Sequence, residues 1–291
     1  MKSILIIGAD SFTGKHLTSY LKGSGYNIYG SSLNGDNNLF KCDITKKEDL
    51  INLFNSVKPD FLINLSAISF AAHGKVDDFY RVNTIGTLNI LDTLIESKIV
   101  PLKTILVSSA TVYGNQGIEM LDESLCPKPA NHYGASKYSM ECLVSNYFSK
   151  LPIIITRPFN YTGVGQAEHF LIPKIVKHFK EKREYIELGN LNVSREFNDI
   201  SFVCEAYKRL LESNYKSEIV NIASNRAIKL LDVISLMEKI ANYEINIEVN
   251  PAFIRKDDIK KLTGSNKKLF NIVGEIKQKE FENTLKQMYE A

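Results

Sequence analysis

Cysteine is scarce in this sequence. The four cysteines are widely separated, no two of them form a C-x-x-C pair, and they stand at Cys42, Cys126, Cys142 and Cys204. Zinc sites and thioredoxin-like redox motifs bring cysteines into close pairs along the chain, and small disulfide scaffolds need a much higher cysteine content. We therefore expect no disulfide framework and no metal site, and we interpret the four residues as reduced, mostly buried thiols.

Long apolar runs and a strong net charge are absent as well. No run reaches the roughly 20 residues that a membrane-spanning helix needs. The apolar run at residues 4–7 is too short for a signal peptide and is followed by Gly8 rather than by a cleavage site. The formal net charge of +3 is too small to indicate nucleic-acid binding. These absences predict a cytoplasmic protein that binds neither membranes nor nucleic acids.

What the chain does contain is an alternation of buried strands and amphipathic helices. Its 291 residues, 44% apolar and 24% charged, suffice for one large domain or for two domains that share a core. Short apolar, β-branched runs separated by helical patterns are typical of a parallel sheet covered by helices. The strands are expected at 4–7, 27–31, 39–42, 61–65, 102–107 and 153–157. The helices are expected at 15–22, 46–57 and 79–97 and from Tyr133 onward.

The alternation of strands and helices becomes less regular after residue 160. No low-complexity linker separates the two halves, so a second domain is expected to pack on the first. Its helices are expected at 173–182, 202–212, 230–241 and 281–289. Its strands are expected at 185–188, 219–222 and 246–249.

A glycine turn follows the first strand. Gly8 and Gly14 enclose five residues, with Ser11 at the middle position, where a third glycine often stands. A strand, a glycine turn and a helix direct backbone N–H groups and a helix N-terminus at a pyrophosphate. The second strand ends at Ser31 with no acid before Asp36, whereas a carboxylate there reads the free ribose hydroxyl of NAD. The absence of a carboxylate favours NADP(H), because nothing would repel its additional phosphate. No arginine stands there to hold that phosphate, so NAD(H) remains an alternative.

A tyrosine and a lysine lie one helical turn apart. Tyr133 and Lys137 are four residues apart, so on a helix they share one face. A nearby ammonium lowers the tyrosine pKa from about 10, which suits a general acid/base. Ser109 follows the strand at 102–107, at the carboxyl edge where such sheets bind ligands. Its hydroxyl would bond the same substrate oxygen that Tyr133 protonates.

These segments together resemble the extended short-chain dehydrogenase/reductase family, in its nucleotide-sugar epimerase, dehydratase and reductase branch. The likeness covers nearly the whole chain and rests on the Asp43–Ile44 pair and on the segments GADSFTG, RVNTIGTLNIL, SSATVYG, YGASK, RPFNYTGVGQ, GNLNVSREF and IRKDDIKKLTGSNKKL. It implies an α/β fold: a Rossmann doubly wound parallel sheet with a smaller C-terminal mixed α/β substrate domain. The cofactor domain would span 1–160, with 195–224 returning to it, and the substrate domain 161–194 and 225–291. A homodimer built from the helices of Phe79 and Tyr133 is also implied.

The resemblance also implies residue roles. Tyr133 would be the acid/base, Lys137 would bind the nicotinamide ribose, and Ser109 would contact the reacting oxygen. The diphosphate sugar would be bound by Thr111, Asn160, Arg195 and Arg255. The cofactor would be bound by Gly8, Ser11, Phe12, Thr13, Gly14, Ser31, Asp43, Ile44, Leu65, Ser66, Ala67 and Asn83, together with Tyr133 and Lys137.

Three reactions share this implied scaffold. A 4,6-dehydratase places an acidic pair after the catalytic hydroxyl, but Ala110 and Thr111 stand there and neither carries a proton at neutral pH. A 4-epimerase retains NAD, and SSATVYG resembles that form. A 4-ketoreductase uses NADPH to reduce a 4-keto-6-deoxy sugar in deoxysugar biosynthesis. The missing acid, the short chain and the GNL and LTGS segments favour the reductase.

Two departures lie in the implied nucleotide-sugar half. Lys256 replaces an expected proline, and Phe202 stands where an acid often does. The resemblance favours GDP as the nucleotide, and these two departures leave dTDP and CDP open. A non-catalytic NADP(H)-sensing module is the remaining alternative. Such proteins typically lose the tyrosine or the lysine, and this chain retains both.

Overall fold

The computed structural model describes residues 1–69, 75–254 and 260–291. Its strands are β1 (Ser3–Ile7), β2 (Asn27–Ser32), β3 (Phe40–Lys41), β4 (Phe61–Asn64), β5 (Lys103–Val107), β6 (Met120–Leu121), β7 (Ile153–Pro158), β8 (Tyr161–Thr162), β9 (Tyr185–Leu188), β10 (Ser194–Glu196), β11 (Asn198–Asp199), β12 (Glu218–Ile222), β13 (Ala227–Lys229), β14 (Asn246–Val249) and β15 (Lys261–Gly264). Its helices are α1 (Phe12–Leu21), α2 (Lys47–Val57), α3 (Val76–Phe79), α4 (Thr87–Glu96), α5 (His132–Val144), α6 (Leu171–Lys180), α7 (Ile200–Glu212), α8 (Leu230–Ala241), α9 (Lys267–Val273) and α10 (Phe281–Glu290).

A parallel sheet of seven strands forms the centre of the molecule, in the order β12-β7-β5-β4-β1-β2-β3. Residues 3–7 of β1 and 61–64 of β4 are buried throughout, as expected for strands covered on both faces. One face packs on α1, α7 and α9, and the other packs on α2, α4 and α5. The predicted Rossmann doubly wound fold is therefore confirmed.

A smaller part is built around a second sheet, β13-β10-β15-β6, and the pair β14-β9. Helices α6, α8 and α10 enclose its apolar core. The chain crosses between the two parts more often than the sequence predicts. Strand β6 comes from the first half of the chain but pairs with β15, and α9, expected in the substrate part, packs against α7 and β12. These short elements depend on tertiary pairing, so they carry little local signal.

The helix expected at 79–97 is divided into three. Helix α3 leads into π-helical turns at Tyr80–Gly86, which continue into α4. Gly86 lies against Ile44, and a Cβ at Gly86 would come within 2.7 Å of the Ile44 side chain. π-Helical turns inside α-helices are frequent at functional sites. Here they carry Asn83 into the interior.

The cysteine interpretation holds in part. All four cysteines are free, but Cys126 and Cys142 are exposed, whereas Cys42 and Cys204 are buried. The expectation of mostly buried thiols is therefore wrong for half of them. Within the described residues, no helix combines the length and the apolar character needed to cross a membrane. The same residues contain no cluster of side chains suited to a metal ion.

Candidate active site

The glycine turn forms a closed backbone cradle at the N-terminus of α1. Gly8 has a φ of +81°, and a Cβ there would come within 2.9 Å of the Ser66 nitrogen. A Cβ at Gly14 would come within 2.4 Å of the Gly8 oxygen. Ser11 closes the turn, since its hydroxyl donates to the Gly8 carbonyl (2.7 Å) and accepts from the Gly14 N–H (3.0 Å). The close backbone approach and the helix N-terminus fit the pyrophosphate of a dinucleotide.

Ser31 supports this cradle from beneath. Its carbonyl accepts hydrogen bonds from the N–H groups of Gly8 and Ala9, each at 2.9 Å. Its side chain is fully buried. Ser31 therefore holds the loop in place, and its contact with the cofactor stays a prediction.

Tyr161 connects the glycine loop to the predicted catalytic tyrosine. The Thr13 hydroxyl hydrogen-bonds the Tyr161 hydroxyl at 2.8 Å, and the Phe12 ring stacks on the Tyr161 ring with centroids 6.2 Å apart. Tyr161 also faces Tyr133 closely enough to raise the pKa of that phenol. Sequence reasoning missed Tyr161, although it follows Asn160 in the quoted RPFNYTGVGQ segment.

The predicted adenine-side residues follow β3. Asp43 is half-buried; burial opposes ionisation, but two hydrogen bonds from Thr45 (2.7 and 3.0 Å) outweigh it and lower the pKa of the carboxyl group. Ile44 is buried in the core, and its carbonyl accepts from the Asn89 amide at 3.1 Å. An ionised carboxylate therefore stands at this edge. After β4, the half-buried residues lining the floor beside Gly8 are Leu65, Ser66 and Ala67.

Asn83 is fully buried beneath that floor. Its amide oxygen accepts from the Ile68 N–H (2.9 Å), and its amide nitrogen donates to the Ile68 carbonyl (3.1 Å) and the Ser136 hydroxyl (3.0 Å). Its contact with the cofactor stays a prediction. Asn83 joins the loop after β4 to the helix that carries Tyr133.

The three predicted catalytic side chains come from two neighbouring elements. Ser109 follows β5, and its hydroxyl accepts from the Thr111 N–H (3.2 Å) and the Thr111 hydroxyl (2.9 Å). It also lies close enough to the Tyr133 phenol to lower its pKa. Helix α5 carries Tyr133 and begins after Asn131, whose side chain accepts from the Gly134 N–H at 2.8 Å. The structure therefore brings the two hydroxyls, from two separate elements, to the same place.

The electrostatics of Tyr133 differ from the sequence expectation. Burial raises the pKa of the Tyr133 phenol to about 12, partly offset by the hydrogen bond with Ser109. Lys137 instead donates to the Val107 carbonyl at 2.7 Å, and burial lowers the pKa of its ammonium to about 8. The predicted depression of the tyrosine pKa by Lys137 is not found. The arrangement offers a neutral phenol that can donate a proton, with a buried lysine one turn away.

The predicted substrate residues are spread over the second part and its border. Thr111 and Asn160 are exposed, and the Asn160 carbonyl accepts from the Asn198 N–H at 2.9 Å. Arg195 is half-buried on β10, where its guanidinium donates to the Ser194 carbonyl at 2.8 Å. Arg255 lies outside the described residues.

Comparisons with known proteins identify the family of this chain. A family model described as the NAD dependent epimerase/dehydratase family matches residues 4–223. The chain is 34% identical over 272 residues to a GDP-6-deoxy-D-talose 4-dehydrogenase of Aggregatibacter actinomycetemcomitans, covering 93% of this chain and 91% of that protein. It is 28% identical over 282 residues to a GDP-6-deoxy-D-mannose reductase of Pseudomonas aeruginosa, covering 93% and 90%.

Solved structures show the same architecture. A protein of Burkholderia cenocepacia, whose name assigns it provisionally to the epimerases, superposes with a TM-score of 0.94 at 35% identity, over 99% of this chain and 97% of that one. The fold also matches that of RMD from Pseudomonas aeruginosa, complexed with NADPH, with a TM-score of 0.89 at 24% identity, over 100% of this chain and 97% of that one. With its glycine cradle and its Ser109, Tyr133 and Lys137 side chains, this chain belongs to the NAD dependent epimerase/dehydratase family, within the extended short-chain dehydrogenase/reductases.

Proposed function

We propose that the protein is an NADPH-dependent reductase of the C4 ketone of an NDP-4-keto-6-deoxyhexose, with GDP as the favoured nucleotide. The observation that carries this proposal is the proximity of the Ser109 hydroxyl to the Tyr133 phenol at the carboxyl edge of the sheet. Tyr161 joins this pair to the glycine cradle through Thr13. A carbonyl seated against the two hydroxyls would therefore lie beside a bound dinucleotide.

The relatives support the substrate class. Two of them are named for GDP-6-deoxy-D-talose and for GDP-6-deoxy-D-mannose. Talose and mannose differ in configuration at C4, so oxidation at C4 converts both sugars into one and the same 4-keto sugar. A GDP-4-keto-6-deoxymannose is therefore the first substrate to test. The stereochemistry of the product at C4 depends on which face of the sugar the pocket presents.

The protonation states of the site support the reductive direction. NADPH, when bound, supplies the hydride. The Ser109 hydroxyl would orient the ketone oxygen, and the neutral phenol of Tyr133, with its pKa raised to about 12 by burial, would give that oxygen its proton. Lys137 would stabilise the phenolate left behind. A 4-dehydrogenase would run the same steps in reverse, starting from the phenolate.

The cofactor preference follows from the end of β2. Residues 27–35 contain no acid, so nothing there repels the phosphate on the adenosine ribose of NADP(H). Lys41 is exposed on the edge strand β3, where it pairs with Ser32 in the sheet register. An ammonium at this edge would favour the additional phosphate. We therefore infer that NADP(H) is preferred over NAD(H).

The sugar diphosphate would be held by Asn160, Arg195 and Arg255. A guanidinium fork matches phosphate oxygens, and Arg195 lies on the sheet of the smaller part.

We also propose that two copies associate through α4 and α5. A groove of about 330 Å³ lies between these helices. It is lined by Leu88, Ile95, Leu143 and Tyr147 together with the polar side chains Asp92, Glu96, Asn146 and Lys150.

The test is to mix the purified protein with NADPH and a 4-keto-6-deoxy sugar nucleotide carrying GDP, dTDP, CDP or UDP. We expect stoichiometric loss of NADPH absorbance with the GDP form, and an NMR spectrum of a 6-deoxy sugar nucleotide with a C4 hydroxyl. Turnover of a nucleotide sugar between C4 epimers without net consumption of NADPH would support a 4-epimerase instead. Binding of NADPH without turnover of any of the four substrates would support a sensing module.

A further inference from the structure

A buried ion pair lies behind the predicted catalytic lysine. Glu141 on α5 is 3% exposed and Arg157 on β7 is 2% exposed. The Arg157 guanidinium donates from Nη2 to Oε2 of Glu141 at 2.6 Å and from Nε to Oε1 and Oε2 at 3.0 and 3.3 Å. It also lies over the Tyr113 ring, 4.7 Å from the centroid. Both oxygens of the carboxylate are therefore held in place.

Glu141 lies on the same helical face as Tyr133 and Lys137. It follows Lys137 by four residues, as Lys137 follows Tyr133. Side chains on a helix lean toward its N-terminus, so the Glu141 carboxylate leans toward Lys137 and the Lys137 ammonium toward Tyr133. Lys137 is itself 3% exposed, and the Val107 carbonyl accepts from its ammonium. The three side chains form a row along α5 from the buried end of the site to its open edge.

A buried ammonium is costly unless a negative group is near it. Loss of water favours the neutral amine, and a carbonyl oxygen alone compensates only in part. Burial lowers the pKa of Lys137, and Glu141 is the carboxylate that raises it again. Three hydrogen bonds from Arg157 in turn hold that carboxylate in place.

We propose that Glu141 is a positioning residue that holds Lys137 as a cation directed at Tyr133, and that Arg157 serves to keep the Glu141 carboxylate in place. The proposal rests on the proposed reduction, in which the cation stabilises the Tyr133 phenolate. It assigns the ion pair a part in the chemistry, whereas packing alone would be served as well by apolar residues. Replacement of buried ion pairs by apolar side chains is often neutral or stabilising.

The other titratable groups around this row do not replace Glu141. On α5 itself the row contains Tyr133; the turn after β5 contributes Tyr113, α7 contributes Tyr207, and β7 contributes Arg157. Burial raises the pKa of Tyr133 and of Tyr113 to about 12, and that of Tyr207 well above its ordinary value. These phenols therefore stay neutral over the working range, and Arg157 stays positive.

The experiment compares the parent protein with Glu141→Gln, which removes the charge and keeps the shape. In the ligand-free protein, the pKa of Lys137 is read from the ¹³C resonance of its Cε, identified by its disappearance in Lys137→Arg. We expect this pKa to fall by about one unit or more, and the alkaline limb of kcat/KM, which reports the free enzyme, to move to lower pH by the same amount, so that kcat/KM at the old midpoint falls about fivefold or more. Activity should return at lower pH, which a merely structural defect would not allow.

Three further variants keep the proposal falsifiable. Glu141→Asp retains the charge and should restore most of the alkaline limb. If Glu141→Gln does not fold because Arg157 is left unpaired, Glu141→Gln combined with Arg157→Gln removes both charges, and the Lys137 pKa should again be lowered. Glu205→Gln breaks an ion pair of the same helical spacing with Arg209 on α7 and should leave the Lys137 pKa unchanged.

An unchanged Lys137 pKa in Glu141→Gln, or in the double variant, would overturn the proposal, as would a loss of kcat/KM that is equal at all pH values. The NMR titration needs no substrate. A lowered Lys137 pKa in a protein that reduces none of the 4-keto sugar nucleotides would therefore uphold the role of Glu141 and refute the proposed reaction.

Discussion

Ser11 shows how a single side chain can take the place of a glycine in a nucleotide-binding turn. Its hydroxyl bridges the Gly8 carbonyl and the Gly14 N–H, so the turn is closed by hydrogen bonds from a side chain. Gly8 and Gly14 have no such freedom, because a Cβ on either would meet backbone atoms. The motif therefore accepts a side chain at position 11 but, for steric reasons, not at positions 8 and 14.

Among single residues, Tyr133 is the one whose replacement should lower kcat most. In Tyr133→Phe the proton donor disappears while the ring packing with Phe79 is kept, so we expect kcat to fall by about 10²- to 10⁴-fold. The dissociation constant for NADPH, measured by fluorescence titration, should change little. Tyr26→Phe, which removes a remote hydroxyl bonded to Glu212, is the matched control and should keep the parental kcat. Parental kcat in Tyr133→Phe would refute the acid role.

Replacement of Lys41 tests whether the proposed preference for NADP(H) has an electrostatic origin. Removing its ammonium in Lys41→Ala should weaken NADPH binding several-fold, about 1 kcal/mol for one exposed charge pair, and leave NADH binding nearly unchanged. Isothermal titration with both dinucleotides measures this. Lys22→Ala, at the end of α1 and also exposed, should affect neither cofactor. Equal weakening of both dinucleotides would place the Lys41 contact away from the additional phosphate.

Among the elements, α5 carries most of the proposed chemistry. Tyr133, Lys137 and Glu141 follow one another at four-residue intervals, and Ser136 is tied through Asn83 to the loop under the cofactor site. The helix therefore couples the acid, the cation and the cofactor floor in one rigid unit. Its N-terminal cap, Asn131, determines where that unit begins.

The Asn131 cap is expected to stabilise α5. In Asn131→Ala the Gly134 N–H loses its partner, so the free energy of unfolding should fall by about 1 kcal/mol in urea titrations. Asn131→Ser, which can accept the same bond, should recover most of the loss. Lys46→Ala at the start of α2 provides the control, because the Lys46 side chain caps nothing and its removal should cost little. Equal losses in Asn131→Ala and Lys46→Ala would mean that the cap is not stabilising.

For the whole molecule, the groove between α4 and α5, with its exposed Leu143, predicts association. Leu143 is 40% exposed beside the groove. Apolar surface in contact with water favours burial against a second copy. We expect a dimer in sedimentation velocity experiments and a monomer for Leu143→Asp.

The control for this prediction is Leu231→Asp, which adds the same charge at a leucine of similar exposure on α8. It should remain dimeric. A parent protein that sediments as a monomer would contradict the proposed interface. A Leu143→Asp variant that remains dimeric would show that the interface lies on another face.

Much of the fold could be predicted because its signals are local. Strands β9 and β14 and helix α8 begin and end where the apolar pattern predicts. The two-residue strands β6, β8 and β11 escaped prediction because their hydrogen-bond partners come from distant segments. The same limit applies to the site. Its motif positions could be recognised, but the burial of Ser31 and Asn83 and the loops that they support depend on tertiary packing.

The sequence by itself determined the order of strands and helices, the glycine turn, and the four-residue spacing of Tyr133 and Lys137, because each is a property of neighbouring residues. The tertiary structure alone decided that the Tyr133 phenol is neutral, that Tyr161 joins it to the glycine cradle, and that Arg157 reaches Glu141 from another element. The physical reason is that proton affinity and long-range hydrogen bonding depend on desolvation and on distances between segments. Both arise only when the chain packs.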